Sequence, residues 1–486
     1  MTSGITEGGH GGLTGTGGAG AQIVHRALVR STPAGVHTAN VFLEERSLVT
    51  ARFADSATID MAAGHRAGGC ARWMTSDRSW YRALDSADPE TVAAHVTGRP
   101  ADRVAAHAAG TAATAETGRD LVNRGAGHQG AGAHGADDHG TGLVPAVEAL
   151  DTLLAGIDKA ARDHDPRIRQ VLIDAEWYEQ DITTVHLEGA GTEHRHLRYL
   201  TIRVIAAESG QIATGFYTPA TSDPAEVLDP SEIGVEAARR AVTSLAGRPV
   251  PVRRMPVVVG PGRGTVLIHE ACCHPLEGDE IARGSVYAGR LGERIAAEGV
   301  TIVDDPLVRG GPGSYRWDDE GTEASPTTMV DDGILSSYLT DRATAAELGV
   351  RSSGNGRRES FRDIPIPRMS NTCVRPGPHD PAGIIADTEF GLYAQHVGGG
   401  EVIEATGDFV FRVHNGFLIE HGKITDPIRE TTVQGNGVEV LRSIDAVGDD
   451  VRLGAAKCGK FNQLIPVGVQ GPTLRIGSLL VGGTES

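Results

Sequence analysis

The sequence has few cysteines and no long hydrophobic run, and each shortage excludes a class of protein. Five cysteines occur in 486 residues, an odd number at irregular spacing that does not match a disulfide framework. We therefore expect a reducing compartment, the cytoplasm, and one or more functional thiols. No apolar stretch approaches the ~18–20 residues of a membrane span, so no membrane partner is expected. The amino terminus lacks a basic segment followed by an apolar one, which argues against a signal peptide.

Positive charge is also scarce. The chain has 45 Lys and Arg against 63 Asp and Glu, a formal net charge of −18. An acidic protein repels polyanions, so we expect no nucleic-acid partner. With 486 residues, 40% of them hydrophobic, the chain is long enough for two or three soluble domains.

Glycine content and apolar periodicity divide the chain into regions. Residues 1–22 are rich in Gly, Thr and Ser and are predicted to form a disordered tail. Residues 23–250 are predicted to form an α/β domain with a flexible Ala/Gly/His-rich insert at 105–142, and residues 251–486 a second domain. We interpret the histidines in and beside the insert as surface residues rather than metal ligands. These are His107, His128, His134 and His139.

Apolar residues at three- and four-residue spacing predict two amphipathic helices within residues 145–250. The first begins near Pro145. The second has Ser231 as its N-cap and stops at Gly247. The apolar residues are Val147, Leu150, Leu154, Ile157 and Ala161 in the first helix, and Ile233, Ala237, Ala241 and Leu245 in the second.

Strands are predicted in both halves of the chain. Residues 39–50 and 56–61 are strand-like, and Ala67-Gly68-Gly69 is interpreted as a turn. Alternation over 197–204 predicts a strand that leads into a hairpin turn. Beyond Gly299 helical periodicity nearly vanishes and short strands alternate with turn residues. The predicted fold class is α+β, an amino-terminal α/β domain followed by a mostly antiparallel β domain that is barrel- or sandwich-like.

The densest group of metal-binding and acid/base side chains is His269-Glu270-Ala271-Cys272-Cys273-His274. Zinc binds His nitrogen and Cys sulfur, and a catalytic zinc site keeps one position for water. A carboxylate beside the first His is suited to take a proton from that water. The pattern H-E-x-x-x-H is one residue longer than the H-E-x-x-H of many zinc peptidases.

The spacing of the two histidines leaves several interpretations open. On a regular α-helix, residues five apart are rotated by roughly 140°. His269 and His274 converge if the helix widens into a π-bulge. They also converge if the helix ends at His274, which Pro275 favours. Otherwise they are two unrelated histidines near a helix end.

Further blocks of sequence resemble a known family, the TldD/PmbA metallopeptidases, also called modulator-of-gyrase proteins. The similarity is to the metal-bearing TldD branch, and it covers essentially residues 255–486. Upstream the similarity is looser, and the insert at 105–142 does not look like family sequence. The blocks are residues 267–271 with His274, 276–279, 318–322, 354–360, 367–372, 398–400, 458–460 with Gln463, 466–468, 471–474 and 481–484.

The resemblance implies a zinc-dependent peptidase that hydrolyses unfolded or short peptides. In the family, the two His of the motif and a Cys near the carboxyl terminus bind Zn²⁺, and the Glu is the catalytic base. Carried over residue by residue, His269, His274 and Cys458 are the metal ligands and Glu270 is the base. Cys458 lies 184 residues after His274, so spacing does not single it out among the five cysteines.

The resemblance also implies a dimer, because family members pair as two homologous subunits of which one carries the metal. This chain is expected to be the catalytic partner of a TldE/PmbA-like subunit, or to form a homodimer. Alternative functions are a tailoring amidase or peptidase in natural-product maturation, a cysteine hydrolase that uses Cys272 or Cys273, and a non-catalytic metal-binding subunit. The chain departs from the family pattern at Cys272, Cys273 and Pro275. Arg357 and Arg358 are interpreted as contacts to a peptide or as structural residues.

Overall fold

The computed structural model describes residues 18–75, 79–97 and 143–482. The predicted insert at 105–142 with its histidines, and most of the predicted tail at 1–22, lie outside these ranges. The end of that tail is described, and it is helical, because the first helix already begins at Ala19.

The amino-terminal half is built on one antiparallel sheet. Its strands are β1 Thr38–Ala54, β2 Ala57–Met74, β3 Ser79–Leu84, β4 Ile168–His186, β5 Gly189–Glu208, β6 Gln211–Tyr217 and β7 Ala220–Thr221. The order across the sheet is β3-β2-β1-β4-β5-β6, and β7 pairs with β5. The predicted hairpin turn after the 197–204 strand is confirmed, because β5 and β6 are joined by Ser209 and Gly210, both with positive φ.

The segment Ala67-Gly68-Gly69 does not form the predicted turn; it lies within β2 and pairs with β1. Gly68 is opposite Glu44 in the register. A Cβ at Gly68 would lie 2.3 Å from the Phe361 ring, so the glycine lets a carboxyl-terminal aromatic side chain approach the strand backbone closely. A glycine that lets an aromatic ring approach a strand was therefore mistaken for a turn residue in the sequence.

Helices cover one face of this sheet, as their apolar stripes predict. In the described amino-terminal ranges they are α1 Ala19–Ser31, α2 Pro89–Thr97, α3 Leu143–His164 and α4 Pro230–Leu245. The predicted stripes of α3 and α4 are buried against the sheet in one hydrophobic cluster. The two helices approach closely at Gly234, where a Cβ would lie 2.5 Å from the carbonyl oxygen of Ile157. The predicted helices at 145–161 and 231–245 are thus confirmed.

The N-cap of α4 is Asp229, not the predicted Ser231. The Asp229 carboxylate accepts a hydrogen bond from the backbone N–H of Ser231 at 2.8 Å. Pro230 occupies the first helical position, where its fixed φ is favourable and its missing N–H costs nothing. The cap therefore falls one residue before the proline.

We expect Asp229→Ala to lower the free energy of unfolding by about 1 kcal/mol, because an amide at the helix start loses its acceptor. Urea unfolding of the purified protein measures this difference. The matched control is Ser231→Ala, which removes an exposed side chain and keeps the cap. Equal destabilisation by the two variants would contradict the assignment of Asp229 as the cap.

The carboxyl-terminal half contains mostly antiparallel sheets, as predicted, with two parallel pairs, β14–β21 and β8–β15. Its strands are β8 Arg253–Val259, β9 Ile302–Asp304, β10 Thr327–Asp331, β11 Ile334–Leu335, β12 Gly356–Arg357, β13 Ile366–Pro367, β14 Asn371–Val374, β15 Phe390–Ile403, β16 Asp408–Glu420, β17 Lys423–Pro427, β18 Thr431–Asn436, β19 Ile444–Val447, β20 Arg452–Lys460, β21 Gln463–Gly471 and β22 Leu474–Val481. Short helices interrupt them. These are α5 Val266–Ile268, α6 Gly278–Ala282, α7 Arg342–Leu348, α8 Pro381–Ala386 and α9 Gly437–Ser443.

Five of these strands close into a barrel, and a separate sheet lies beside it. Strands β15, β8, β22, β18 and β16 pair in that order, and β16 pairs back with β15. The second sheet has the order β11-β10-β9-β14-β21-β20. The fold class is therefore α+β with a barrel in the carboxyl-terminal region. We keep the boundary between residues 250 and 251 as our proposed division into domains.

The segment that carries the H-E-x-x-x-H motif lies between the barrel and this second sheet. Leu267, Ile268 and Cys272 share a hydrophobic cluster with barrel residues such as Val257 and Phe411. Val266, the residue before Leu267, packs against β20 and β21 residues of the second sheet. Among the described helices, none is both long enough and apolar enough to cross a membrane.

Candidate metal centre

The motif helix widens at the two histidines. A single turn of α-helix, Val266–Ile268, runs into a π-helical turn at His269–Cys273, and a 3₁₀ turn follows at His274–Leu276. The backbone N–H of His274 donates to the carbonyl oxygen of His269, five residues earlier. A π turn brings residues five apart onto one side of the helix, and the two ring centroids are 5.1 Å apart. The longer spacing is thus accommodated by the π-bulge that the sequence suggested.

Cys458 reaches the same point from strand β20. Its Sγ lies 2.9 Å from His274 Nε2. Donor atoms of His269, His274 and Cys458 all lie within 4.8 Å of one another, and the three residues are buried. The structure therefore brings together the three side chains that the resemblance suggested, although 184 residues separate the last two.

Hydrogen bonds orient His269 so that its Nε2 faces the group. His269 Nδ1 lies 2.7 Å from Thr372 Oγ1, and the Thr372 hydroxyl donates to Met369 Sδ at 3.3 Å. Nδ1–H is then the donor to Thr372, which leaves a lone pair on Nε2. His269 Nε2 is buried and has no hydrogen-bond partner among the described residues. An unpaired buried nitrogen is costly, and a metal ion would satisfy it.

We expect Thr372→Val to weaken the binding of a metal ion at this group by about tenfold, because His269 loses the contact that fixes its tautomer and ring orientation. Competition with a chelating dye measures the affinity. Thr372→Ser keeps the hydroxyl and is expected to retain nearly all of it. Wild-type affinity in the valine variant would mean that Thr372 does not orient the ligand.

His274 is oriented by a buried carboxylate. His274 Nδ1 lies 2.9 Å from Glu277 Oε2, and Lys460 Nζ lies 2.8 Å from the same oxygen. Burial alone raises the pKa of Glu277, but Lys460 and His274 outweigh burial and hold it well below its usual range. Glu277 is thus ionised at neutral pH, and it accepts a hydrogen bond from His274 Nδ1–H, which leaves Nε2 directed at Cys458.

The thiol of Cys458 is held in its anionic form. Burial raises the pKa of Cys458, but the positive charges of His274 and Arg368 outweigh burial and lower it to about 5. Conversely, burial lowers the pKa of His274, while Cys458 and Glu277 raise it well above its usual value. A thiolate is the form in which cysteine binds metals, so the site is prepared for a cation.

Glu270 is the group of the motif that reaches solvent. Its side chain is 26% exposed, and its Oε2 lies 3.3 Å from His274 Nε2. Burial raises the pKa of Glu270, but the hydrogen bond and charge of His274 outweigh burial and lower it to about 2. The carboxylate is therefore ionised at neutral pH, as a proton acceptor must be.

Cys272 and Cys273 do not contribute to this group. Both side chains are fully buried in the apolar core, and the Cys272 thiol donates to the carbonyl oxygen of Gly437 at 3.6 Å. Burial raises the pKa of both thiols. A nucleophilic or metal-binding cysteine needs the opposite shift, so the geometry gives the predicted cysteine-hydrolase alternative no support.

Sequence reasoning missed the residues that orient the ligands, Thr372, Glu277 and Lys460. All three lie within the family-like blocks at 276–279, 367–372 and 458–460. Their positions were therefore visible as motif residues. Thr372 and Lys460 make their contacts with His269 and Glu277 across more than 90 residues of chain, whereas Glu277 contacts His274 only three residues away.

The guanidinium groups of Arg357 and Arg358 do not contact the three candidate metal ligands. Arg357 donates to the carbonyl oxygens of Met369 and Pro466, and Arg358 to that of Asp319. Both bind backbone as structural residues would, and both also line a cleft that lies outside the metal group.

Comparisons with known proteins agree with these features. A model of the PmbA/TldA metallopeptidase C-terminal domain matches residues 252–483, and a model of the central domain of the same proteins matches residues 143–245. The metalloprotease TldD homolog of Haemophilus influenzae is 37% identical over 349 residues, which cover 68% of this chain and 72% of the relative. A metalloprotease of Methanothermobacter thermautotrophicus is 40% identical over 289 residues, 59% of this chain and 63% of the relative.

Solved structures share the fold at lower identity. A Thermotoga maritima protein, whose name refers to modulation of a DNA gyrase, has a TM-score of 0.71 at 18% identity. The matched region covers 95% of this chain and 99% of the Thermotoga chain. TldE from Thermococcus kodakarensis has a TM-score of 0.69 at 17% identity. The matched region covers 96% of this chain and 100% of the TldE chain. The names of the sequence relatives indicate a metalloprotease. The two matched domains, with a relative 37% identical over more than two thirds of both chains, show that this chain belongs to the PmbA/TldD metallopeptidase family.

Proposed function

We propose that the protein is a zinc-dependent peptidase that hydrolyses unfolded or short peptides. His269, His274 and Cys458 would hold the metal, and Glu270 would act as the base. The observation that supports this most directly is the buried group of two imidazole nitrogens and one thiolate within 4.8 Å, with His269 Nε2 otherwise unpaired. Nitrogen and sulfur donors suit zinc, whereas magnesium and calcium prefer oxygen.

When bound by these residues, zinc would supply Lewis acidity to the peptide carbonyl and to the attacking water. Glu270 takes a proton from that water and transfers it to the leaving amine. Glu277 and Thr372 hold the Nδ1 sides of His274 and His269, so both rings direct Nε2 toward the group of three donors. Each of the two histidines therefore has a hydrogen-bond partner that fixes its position before substrate binds.

The proposed preference for unfolded or short peptides follows from the limited access of a substrate to the buried metal-binding group. His269 and Cys458 are 0% and 2% exposed, and Glu270 provides the opening to solvent. A folded protein presents its peptide bonds within secondary structure and cannot bring one to a recessed group, whereas a flexible peptide can. A broad peptide screen would also separate this function from a dedicated tailoring hydrolase, which would cleave very few of the sequences.

We expect dialysis against a chelator to abolish peptide cleavage and one equivalent of Zn²⁺ to restore it. Iodoacetamide treatment of the zinc-loaded protein is expected to leave activity intact, because all five cysteines are buried. Turnover of a fluorogenic peptide mixture is the measurement, with a folded protein as the negative substrate. Resistance to the chelator together with sensitivity to iodoacetamide would favour a cysteine hydrolase instead.

We further propose that the enzyme works in the cytoplasm as a dimer, with a homologous TldE-like subunit or with a second copy of itself. The structural similarity to TldE supports a homologous partner. The free, buried state of the cysteines is what a reducing compartment maintains. Light scattering on the purified chain distinguishes the arrangements, since a dimer of the chain alone supports the homodimer and a monomer supports a separate partner.

A further inference from the structure

A second site lies on the face of the β20–β21 hairpin opposite Cys458. Side chains alternate between the two faces of a strand, so Lys457 and its cross-strand partner Pro466 point away from the Cys458 face. Both line a cleft of about 770 Å³ bounded by the hairpin, strands β1, β2 and β4, and residues 357–363. Cavities of roughly 300–1,000 Å³ are typical of small-molecule sites.

The cleft is positively charged in an acidic protein. Seven Arg and Lys side chains line it, against four Asp and Glu, which is an excess of three positive charges. The whole chain has a net charge of −18. A local excess of the opposite sign within low-dielectric walls concentrates anions there.

Three of the cleft's guanidinium groups, those of Arg66, Arg357 and Arg358, have no carboxylate within ion-pair distance in the part of the chain that the structure describes. Arg357 and Arg358 are each only 6% exposed. Their N–H groups donate mostly to neutral acceptors, such as the carbonyl oxygen of Met369 at 2.6 Å. Neutral acceptors satisfy the hydrogen bonds of Arg357 but supply no negative charge, so its buried guanidinium has no carboxylate in direct contact, which is costly without an anion.

Two further cations of the cleft, Arg46 and Lys457, share a single carboxylate. Arg46 Nη2 lies 3.2 Å from one Glu176 oxygen, and Lys457 Nζ lies 2.6 Å from the other. One negative charge is thus divided between two positive ones. The Arg46 guanidinium also stacks over the Tyr178 ring at 4.0 Å, which holds it against the wall.

We propose that this cleft binds a small ligand that carries two or more carboxylate or phosphate groups, with Arg66, Arg357 and Lys457 as its cationic contacts. The planar fork of arginine matches both carboxylate and phosphate oxygens. A nucleic acid does not fit, because the chain's overall negative charge repels a long polyanion. The site is separate from the metal group, and its occupancy does not depend on peptidase activity.

Calorimetric titration of the full-length, zinc-loaded protein tests the proposal with two probes that chelate zinc weakly. Succinate carries two carboxylates, and 3-phosphoglycerate carries one phosphate and one carboxylate. Saturable binding of about one molecule per chain is expected for at least one probe, with sodium chloride of equal ionic strength giving none. Binding of 3-phosphoglycerate alone identifies a phosphate site, and binding of both identifies a site for carboxylates as well. Failure of both probes to saturate overturns the proposal.

Variants connect the binding to this cleft. Arg66→Met removes an exposed charge at the cleft, and Arg357→Lys keeps the charge but removes the fork. Each substitution is expected to lower the affinity for the bound probe by about tenfold. Arg203→Met is the matched control, because it removes one positive charge from β5 on the same sheet but outside the cleft. Equal weakening by Arg203→Met and Arg66→Met would show general charge attraction and overturn the assigned site.

Discussion

Glu270→Gln is expected to lower kcat/KM for peptide cleavage by about 10³-fold while the protein keeps its metal. Glutamine has nearly the same shape but cannot accept a proton. The Glu270 side chain stands beside His274 Nε2 without belonging to the group of three donors. Loss of turnover with intact metal would therefore isolate the proton-transfer role from metal binding. Steady-state kinetics on a fluorogenic peptide and elemental analysis of the same sample are the two measurements.

Glu280→Gln is the matched control for this experiment. Glu280 is an acidic residue ten positions later that pairs with Arg283 and Lys460 and does not contact His274. It is expected to keep most of the activity. Full turnover in Glu270→Gln would contradict the role of Glu270 as base. A metal-loaded wild type that cleaves no peptide would instead favour the non-catalytic metal-binding subunit.

Cys458→Ala is expected to weaken zinc binding by at least about a hundredfold, because one of the three proposed protein ligands is lost. The wild type should contain about one zinc ion per chain after reconstitution. Removal of the thiolate also removes the main negative charge that faces His274 Nε2. Metal content after gel filtration and competition with a chelating dye give the difference, and circular dichroism confirms that the variant is folded.

Cys373→Ala provides the control for the loss of a buried thiol. Cys373 is a free, buried cysteine on β14 of the same sheet, and it contacts Asn371 and Gln470 rather than the histidines. It should retain wild-type metal content. Stoichiometric zinc in Cys458→Ala would move the third ligand elsewhere and contradict the proposed set.

Several elements of the fold were predictable because their patterns are local. The apolar stripes of α3 and α4 recur at helical spacing, and both helices are present with those stripes buried. The mostly β character after Gly299 was visible in the short strands and frequent turns. Closure of five strands into a barrel, by contrast, requires β15 and β16 to pair with each other and with different neighbours, and no local pattern contains that information.

Local reasoning failed where a residue's environment comes from distant chain. Gly68 and Gly69 resembled a turn, but Phe361 occupies the space above Gly68 and makes a side chain there impossible without rearrangement. The cap of α4 was mispredicted for a local reason instead: Ser231 is a suitable residue type, but Asp229 precedes the proline that starts the helix. In both cases the sequence contained the right residues, and the choice among neighbours depended on geometry.

The sequence by itself determined the chemistry of the candidate site. The H-E-x-x-x-H motif supplies two imidazoles and a carboxylate within six residues, and its extra residue requires a π turn or a helix end for the rings to converge. Similarity to a known family extended the set to Cys458. These inferences hold because ligand types and helical geometry are properties of short segments.

Only the tertiary structure decided how the groups meet. It brings Cys458 to 2.9 Å from His274, and it assigns Thr372 and Glu277 to orient the two rings. It also directs Lys457, the neighbour of Cys458, into a cationic cleft on the other face of the same strand. The physical reason is that side-chain direction on a strand alternates with each residue, but what lies on either face is set by segments that pair from far along the chain.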